Sequence, residues 1–263
     1  MAISEDARFR RALLALYEYS DLSSIHVRIL QAVQALVPGE IFALTESDSR
    51  SGEFRSSVFP ESYYRVGFAT MEEANQTLQP HFHQHPVVTA FQRSQKTGAR
   101  RISDYISGPA FHETGLYREF YRKLRVEDQL VHMIPAPSGR IIGVAISRSE
   151  RSFRSVHVDR LNHIGAHLDQ AYRNAVRVTQ LQQWNAVPAE RITAAMHELG
   201  LSGRQSEVLQ AILTGAQNAE AATVLGVSPL TVKKHLENIY TILKARNRMA
   251  AARKVFRKLG LER

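Results

Sequence analysis

The sequence predicts an α+β chain of two domains, an antiparallel sheet with flanking helices followed by an all-α domain of four helices. Three observations predict it. The chain has 263 residues, more than one small domain usually needs. Between residues 41 and 148, apolar runs of strand length alternate with turn residues, whereas 201–259 carries apolar residues at helical spacing. The charge is lopsided as well. From Val187 onward twelve basic residues face six acidic ones, so under a third of the chain holds +6 of the net +9. The expected boundaries are an N-terminal α+β domain over 1–186, a linker helix over 187–199 and the four-helix domain over 200–263.

The first two helices are expected over Glu5–Tyr19, where Phe9, Leu13 and Leu16 share a face, and over Ser24–Val37, which Pro38-Gly39 ends. Strands are expected at Ile41–Thr45, Phe54–Phe59, Ala99–Ser103, Gln129–Ala136 and Ile141–Arg148. Ser47–Gly52 and Ala136–Gly139 have the composition of hairpin turns. A long helix from about Val156 to Trp184 closes the region. In it Leu161, Ile164, Leu168, Ala171, Ala175 and Val178 keep heptad spacing for about two and a half repeats. Such a stripe can pack on the domain's own sheet or pair with a second subunit, and the spacing leaves both open. Glu190–Leu199, behind Pro188, reads as a short helix.

The C-terminal region is better punctuated. Ser202 and Gln205 form an S-x-x-Q capping box, Val208, Leu209, Ile212 and Leu213 follow on one face, and Gly215 stops the helix. Asn218 is the expected N-cap of a second helix that ends at Gly226. After Val227, Ser228-Pro229 supplies an N-cap and a proline at the first helical position. Two helices joined by so short a glycine-containing turn are a helix-turn-helix. In the third helix Val232, Leu236, Ile239 and Leu243 make one buried stripe, leaving Thr231, Lys233, Lys234, Glu237, Asn238 and Thr241 on the other sides. Lysines and small polar groups near the start of such a helix suit the major groove. A last helix starts at Asn247, with Ala251, Val255 and Leu259 on one face.

These residues carry a resemblance. Leu201-Ser202-x-Arg204, Glu207-Val208-Leu209, Gly215-x-x-Asn218-x-Glu220-x-Ala222, Leu225-Gly226-Val227-Ser228, Thr231-Val232-Lys233-x-His235-Leu236-x-Asn238-Ile239-Tyr240 and Asn247-Arg248-x-x-Ala251 resemble the LuxR-type DNA-binding domain over about 65 residues. The resemblance implies that the third helix enters the major groove and that the last contributes to a dimer contact. It gives Ser228, Thr231, Lys233, Lys234, His235, Glu237, Asn238 and Arg248 as DNA-contacting candidates. The chain departs from the pattern at Gln205, at Ala219 and Ala221, and at Lys244, where a glycine is usual. If Lys244 keeps the positive φ a glycine would adopt, the strain is on the order of 1 kcal/mol.

The N-terminal region resembles a GAF-like sensory domain, without a single motif that fixes it. Twelve of the chain's 21 aromatic residues fall between 54 and 121. An apolar pocket for a small effector and an ordinary core both account for that enrichment. The pocket candidates are Phe54, Tyr63, Tyr64, Phe68, Phe82, Phe91, Tyr105 and Phe111. His85-Pro86-Val87 and Ser103-Asp104 faintly resemble acyl-homoserine-lactone receptors, but the single tryptophan, Trp184, lies outside the region.

His81, His83 and His85 would share a face if the chain were extended, yet Pro80 and Pro86 suggest a loop, and no metal is expected there. His163 and His167 have ligand spacing but lack the glutamate of a zinc-protease helix. With no cysteine, disulfides and thiolate chemistry are excluded. No phosphate-binding glycine loop or nucleophile elbow occurs, so no catalytic residue, enzymatic activity or cofactor is expected. Neither a membrane-spanning run nor a signal-peptide core is evident, which points to the cytoplasm.

The pI near 10.0 favours a polyanionic partner. The expectation is therefore a transcriptional regulator, a homodimer on an inverted-repeat operator in duplex DNA, whose N-terminal domain senses a small molecule. RNA polymerase is a further candidate partner. The alternatives are an N-terminal domain that binds only another protein, and an acyl-homoserine-lactone sensor.

Overall fold

The computed structural model describes residues 5–136, 139–150 and 153–261, and the chain divides into two compact units after residue 176. The first unit opens with helices α1 (Glu5–Tyr17) and α2 (Ile25–Leu36), then strands β1 (Ile41–Asp48) and β2 (Phe54–Phe59). A helical segment follows, with α3 (Met71–His81), α4 (Pro86–Ser94), the two-residue strand β3 (Arg100–Arg101) and α5 (Gly108–His112). Strands β4 (Asp128–Ile134) and β5 (Arg140–Arg148) lead into the long helix α6 (Ser155–Asn185). The five strands form one antiparallel sheet in the order β2-β1-β5-β4-β3. The architecture is α+β.

Strand alternation gives the sheet two unlike faces. Leu44 pairs with Val144 and Val144 with His132; Phe42 pairs with Ile146 and Ile146 with Leu130. These residues form one core with α1, α2 and α6, where Leu16, Ile29, Val33, Leu161, Ile164 and Leu168 are buried. The opposite face carries Ala43, Ala145 and Val131 in one row and Thr45, Gly143 and Met133 in the next. A second core covers that face, built from 68–124 with Phe68, Leu78, Val88, Phe111 and Phe120.

Several expectations change. Most of the heptad stripe of α6 is taken up by its own sheet: Leu161, Ile164 and Leu168 are fully buried and Ala171 and Ala175 nearly so, while Val178 is half-buried and lies outside this core. The buried residues of the stripe are therefore unavailable as a subunit contact. Gly165 allows the close approach, because a Cβ there would come within 2.6 Å of the His132 ring. The segment around Pro80–Pro86 is helical rather than a loop. Pro80 sits in the last turn of α3, and Pro86 is at the first position of α4, where its missing N–H has no intrahelical partner to lose. The strand expected over Ala99–Ser103 shrinks to two residues, since Ile102–Asp104 already turns into a short 3₁₀ helix. The hairpin turn expected at Ala136–Gly139 includes Pro137 and Ser138, which lie outside the described residues.

The second unit holds α7 (Ala189–Glu198), α8 (Gly203–Leu213), α9 (Asn218–Leu225), α10 (Pro229–Ile242) and α11 (Arg248–Lys258). Its core joins Met196, Val208, Leu209, Val232, Ile239, Ala251 and Val255 with Trp184 from the end of α6. The division thus falls ten residues before the expected 186/187 boundary, because Trp184 packs edge-on against Phe256 in this core. The expected linker helix also belongs here. Ile192, Ala195 and Met196 are buried in it, and Lys258 pairs with Glu198 at 2.6 Å.

Candidate nucleic-acid interface and candidate effector pocket

The helix-turn-helix is assembled from its caps. Ser202 accepts from the Gln205 N–H and the Gln205 side chain accepts from the Ser202 N–H at 2.9 Å, closing the capping box of α8. The N-cap of α9 is Gln217, one residue before the expected Asn218, because Glu220 reaches back to the Gln217 N–H at 2.7 Å. Gly226 ends α9 with φ +65°, in the left-handed region that favours glycine. Ser228 starts α10 by accepting from the Thr231 N–H at 3.1 Å, with Pro229 next. Arg204 secures the turn from outside, donating to the Leu225 carbonyl at 2.7 Å while paired with Glu207 at 2.6 Å. Its contribution depends on contacts across 21 residues, so spacing alone did not assign it a role.

Helix α10 therefore sits on its core by Val232, Leu236, Ile239 and, just past its end, Leu243. Lys233, Lys234, Glu237 and Asn238 are exposed along its outer surface; Thr231, His235 and Arg248 are half-buried. Ser228 is exposed, but its hydroxyl lies 2.8 Å from that of Thr231, so both groups help cap the helix. Lys244 has φ +48° and adopts the glycine-like conformation that its position in the pattern suggests. Ala251 and Val255, on the apolar face of the last helix from which a dimer contact was expected, are fully buried inside the unit and cannot face a partner.

The first unit contains a cavity of about 70 Å³ between the small-residue face of the sheet and the helical segment above it. The floor is Ala43, Thr45, Ser56, Gly143, Ala145 and Ser147, whose short side chains leave room that the large residues of the other face fill. Tyr63, Tyr64 and Phe82 line the space, as do Phe120 and Tyr121. The other aromatic candidates lie elsewhere. Phe54 packs edge-on against Phe82, Phe68 stacks on Phe120, and Phe111 is fully buried against Tyr117 and Tyr121. Phe91 packs half-buried beside this core, and Tyr105 is an exposed surface residue.

One polar cluster reaches the cavity. Tyr121 donates to Gln129 Oε1 at 2.9 Å, His85 Nε2 lies 3.0 Å from the same oxygen, and Gln129 Nε2 donates to Ser147 Oγ at 2.7 Å. The shared acceptor requires the His85 Nε2–H tautomer, and its Nδ1 then caps α4 at Val88. Burial pulls the His85 pKa below the usual histidine range and raises that of Tyr121, so both rings are neutral. None of the lining residues is an aspartate, glutamate, lysine or arginine. His81 and His83, on the helical stretch before His85, do not line the cavity.

The second unit is thus a helix-turn-helix whose second helix is exposed and carries two lysines, and the first is an α+β unit with a cavity of uncharged lining. Residues 199–255 match the family described as bacterial regulatory proteins, luxR family, and this module is a LuxR-family helix-turn-helix domain. Over 69 residues the chain is 38% identical to the HTH-type transcriptional regulator YhjB of Escherichia coli K12, covering 26% of this chain and 33% of that protein. The chain thus spans about a third of the length of the curated relative it matches. Among solved structures, Escherichia coli SdiA is similar at 18% identity and TM-score 0.44, covering 98% of this chain and 99% of that one. The VqsR LBD domain from Pseudomonas aeruginosa is similar at 14% identity and TM-score 0.49, over 65% and 96%. Among the described residues, no helix is long and apolar enough to cross a membrane.

Proposed function

We propose that the chain is a one-component, non-enzymatic transcriptional regulator of the cytoplasm. Its second unit binds duplex DNA, and its first unit binds a small uncharged molecule that modulates that binding. The observation that carries the reading is α10, anchored by Val232, Leu236 and Ile239 and presenting Lys233, Lys234, Glu237 and Asn238 outward. One such module reads only a few base pairs, so a homodimer on an inverted repeat is the form that gives useful specificity. RNA polymerase is a further candidate partner. The charge-free lining supports a neutral occupant, because a bare charge there would lose its hydration without a counter-charge.

Native mass spectrometry of the protein purified from its own host, with and without duplex DNA, tests this reading. The expected result is two chains per duplex and a retained neutral molecule in the free protein. A strict monomer, binding one half-site as tightly as a full repeat, overturns the dimeric reading. A protein that carries no small molecule and gains no stability from neutral apolar compounds overturns the sensory one.

A further inference from the structure

We propose that Leu230 is a base-reading residue that packs on the C5-methyl group of a thymine in the operator half-site. The inference rests on the reading of α10 as the helix that enters the major groove, and adds to it a residue that neither spacing nor resemblance selected. Val224 and Leu230 are the two most exposed large apolar side chains among the described residues, at 78% and 75%. They flank the turn of the helix-turn-helix, Val224 near the end of α9 and Leu230 at the second position of α10. An isolated exposed leucine is ordinary. Leu230 is distinguished by its position.

At 100° per residue, Val232, Leu236, Ile239 and Leu243 mark the inward side of α10. Leu230, Lys234, Glu237, Asn238 and Thr241 follow the opposite side at i, i+4, i+7, i+8 and i+11. Leu230 therefore leads the outward row, ahead of Lys234. The first-turn residues of a recognition helix meet base edges, whereas residues farther along the helix and on its flanks meet the backbone. In the major groove the thymine methyl is the apolar feature that an aliphatic side chain can recognise. Ser228 and Thr231, the hydroxyls beside Leu230, are bonded to each other and to the helix cap. Leu230 is thus the large apolar side chain that the first turn leaves exposed.

The test selects duplexes from a random-sequence pool with the full-length protein and with Leu230→Ala at the same salt concentration. The parent is expected to select a motif with a thymine at one position per half-site where the Leu230→Ala motif is degenerate. Replacing that thymine by deoxyuridine removes only the methyl group. It is expected to weaken the parent about fourfold, the value of one buried methyl-sized group, and to leave Leu230→Ala within about twofold. The same motif for both proteins, with no effect of deoxyuridine, overturns the role of Leu230 while leaving DNA binding intact. A parent that selects no motif overturns the DNA-binding reading itself, and this inference with it.

Discussion

The two faces of the N-terminal sheet use the same five strands for opposite ends. On one, Phe42, Leu44, Leu130, Ile142, Val144 and Ile146 fill the space against α1, α2 and α6. On the other, Ala43, Gly143, Ala145 and Ser147 stand in the same registers one residue away, and a cavity remains. The difference teaches that the vacancy arises from small residues on neighbouring strands rather than from the aromatic side chains above them. The filled face also carries a buried ionic group. Glu46 is bound by Arg55 and by the Tyr172 hydroxyl of α6, with His26 Nε2 at 3.5 Å. Among the described residues, those that line the cavity include no aspartate, glutamate, lysine or arginine.

Leu44→Ala tests the filled face with the largest expected effect. Leu44 is 1% exposed, and its truncation should cost about 2–5 kcal/mol by denaturant unfolding of the first unit. A loss below about 1 kcal/mol would mean that this face is not closely packed.

Glu46→Gln comes next. Burial raises the Glu46 pKa, but the neighbouring His26 ring and the hydrogen bonds from Tyr172 and Arg55 outweigh it and hold the carboxyl down at about 2. Its folded pKa lies below the ordinary value of 4.5. The carboxylate's contribution to stability is therefore complete above pH 4.5 and lost as pH falls from there towards 2. Arg55 is more than a third exposed, so its pairing is partly screened, and the expected loss at pH 7 is about 2 kcal/mol. The gap between variant and parent should shrink through that acid window. A gap that is constant with pH would contradict the account.

Ala145→Val on the cavity face has the smallest expected effect on folding, within about 1 kcal/mol, because the added methyl groups enter existing space. The same change should abolish retention of a small molecule in native mass spectra. A penalty as large as that of Leu44→Ala would show that the two faces do not differ.

The legible parts of the chain were those set by neighbours in sequence. Ser202 with Gln205, Ser228 with Pro229 and the stripe Val232–Leu243 fix their helices within one to three turns, and each could be read directly. The left-handed backbone of Lys244 was legible only through the resemblance, which has a glycine at that position. Even there, Gln217 took the cap expected of Asn218, because a reciprocal glutamate decides between adjacent polar residues. The cavity was not legible. Its floor depends on Ala43 lying opposite Ala145 across 102 residues, and its polar end on His85 meeting Gln129 across 44. Counting aromatics located the right segment, but Tyr63, Tyr64 and Phe82 reach the cavity while Phe111 and Tyr105 do not. The apolar stripe of α6 was legible as a stripe, but spacing could not show that its own sheet would bury most of it.

The central claim is that the outer surface of α10 binds DNA. It is tested most directly by measuring the affinity of the full-length protein for a duplex across a salt series, beside Lys233→Ala and Lys234→Ala. Each lysine that neutralises a phosphate releases about one counterion. Each substitution is therefore expected to weaken binding at low salt and to reduce the log–log slope by about one, with the fold unchanged by circular dichroism. Binding curves for both variants that overlay the parent at every salt concentration would contradict the account.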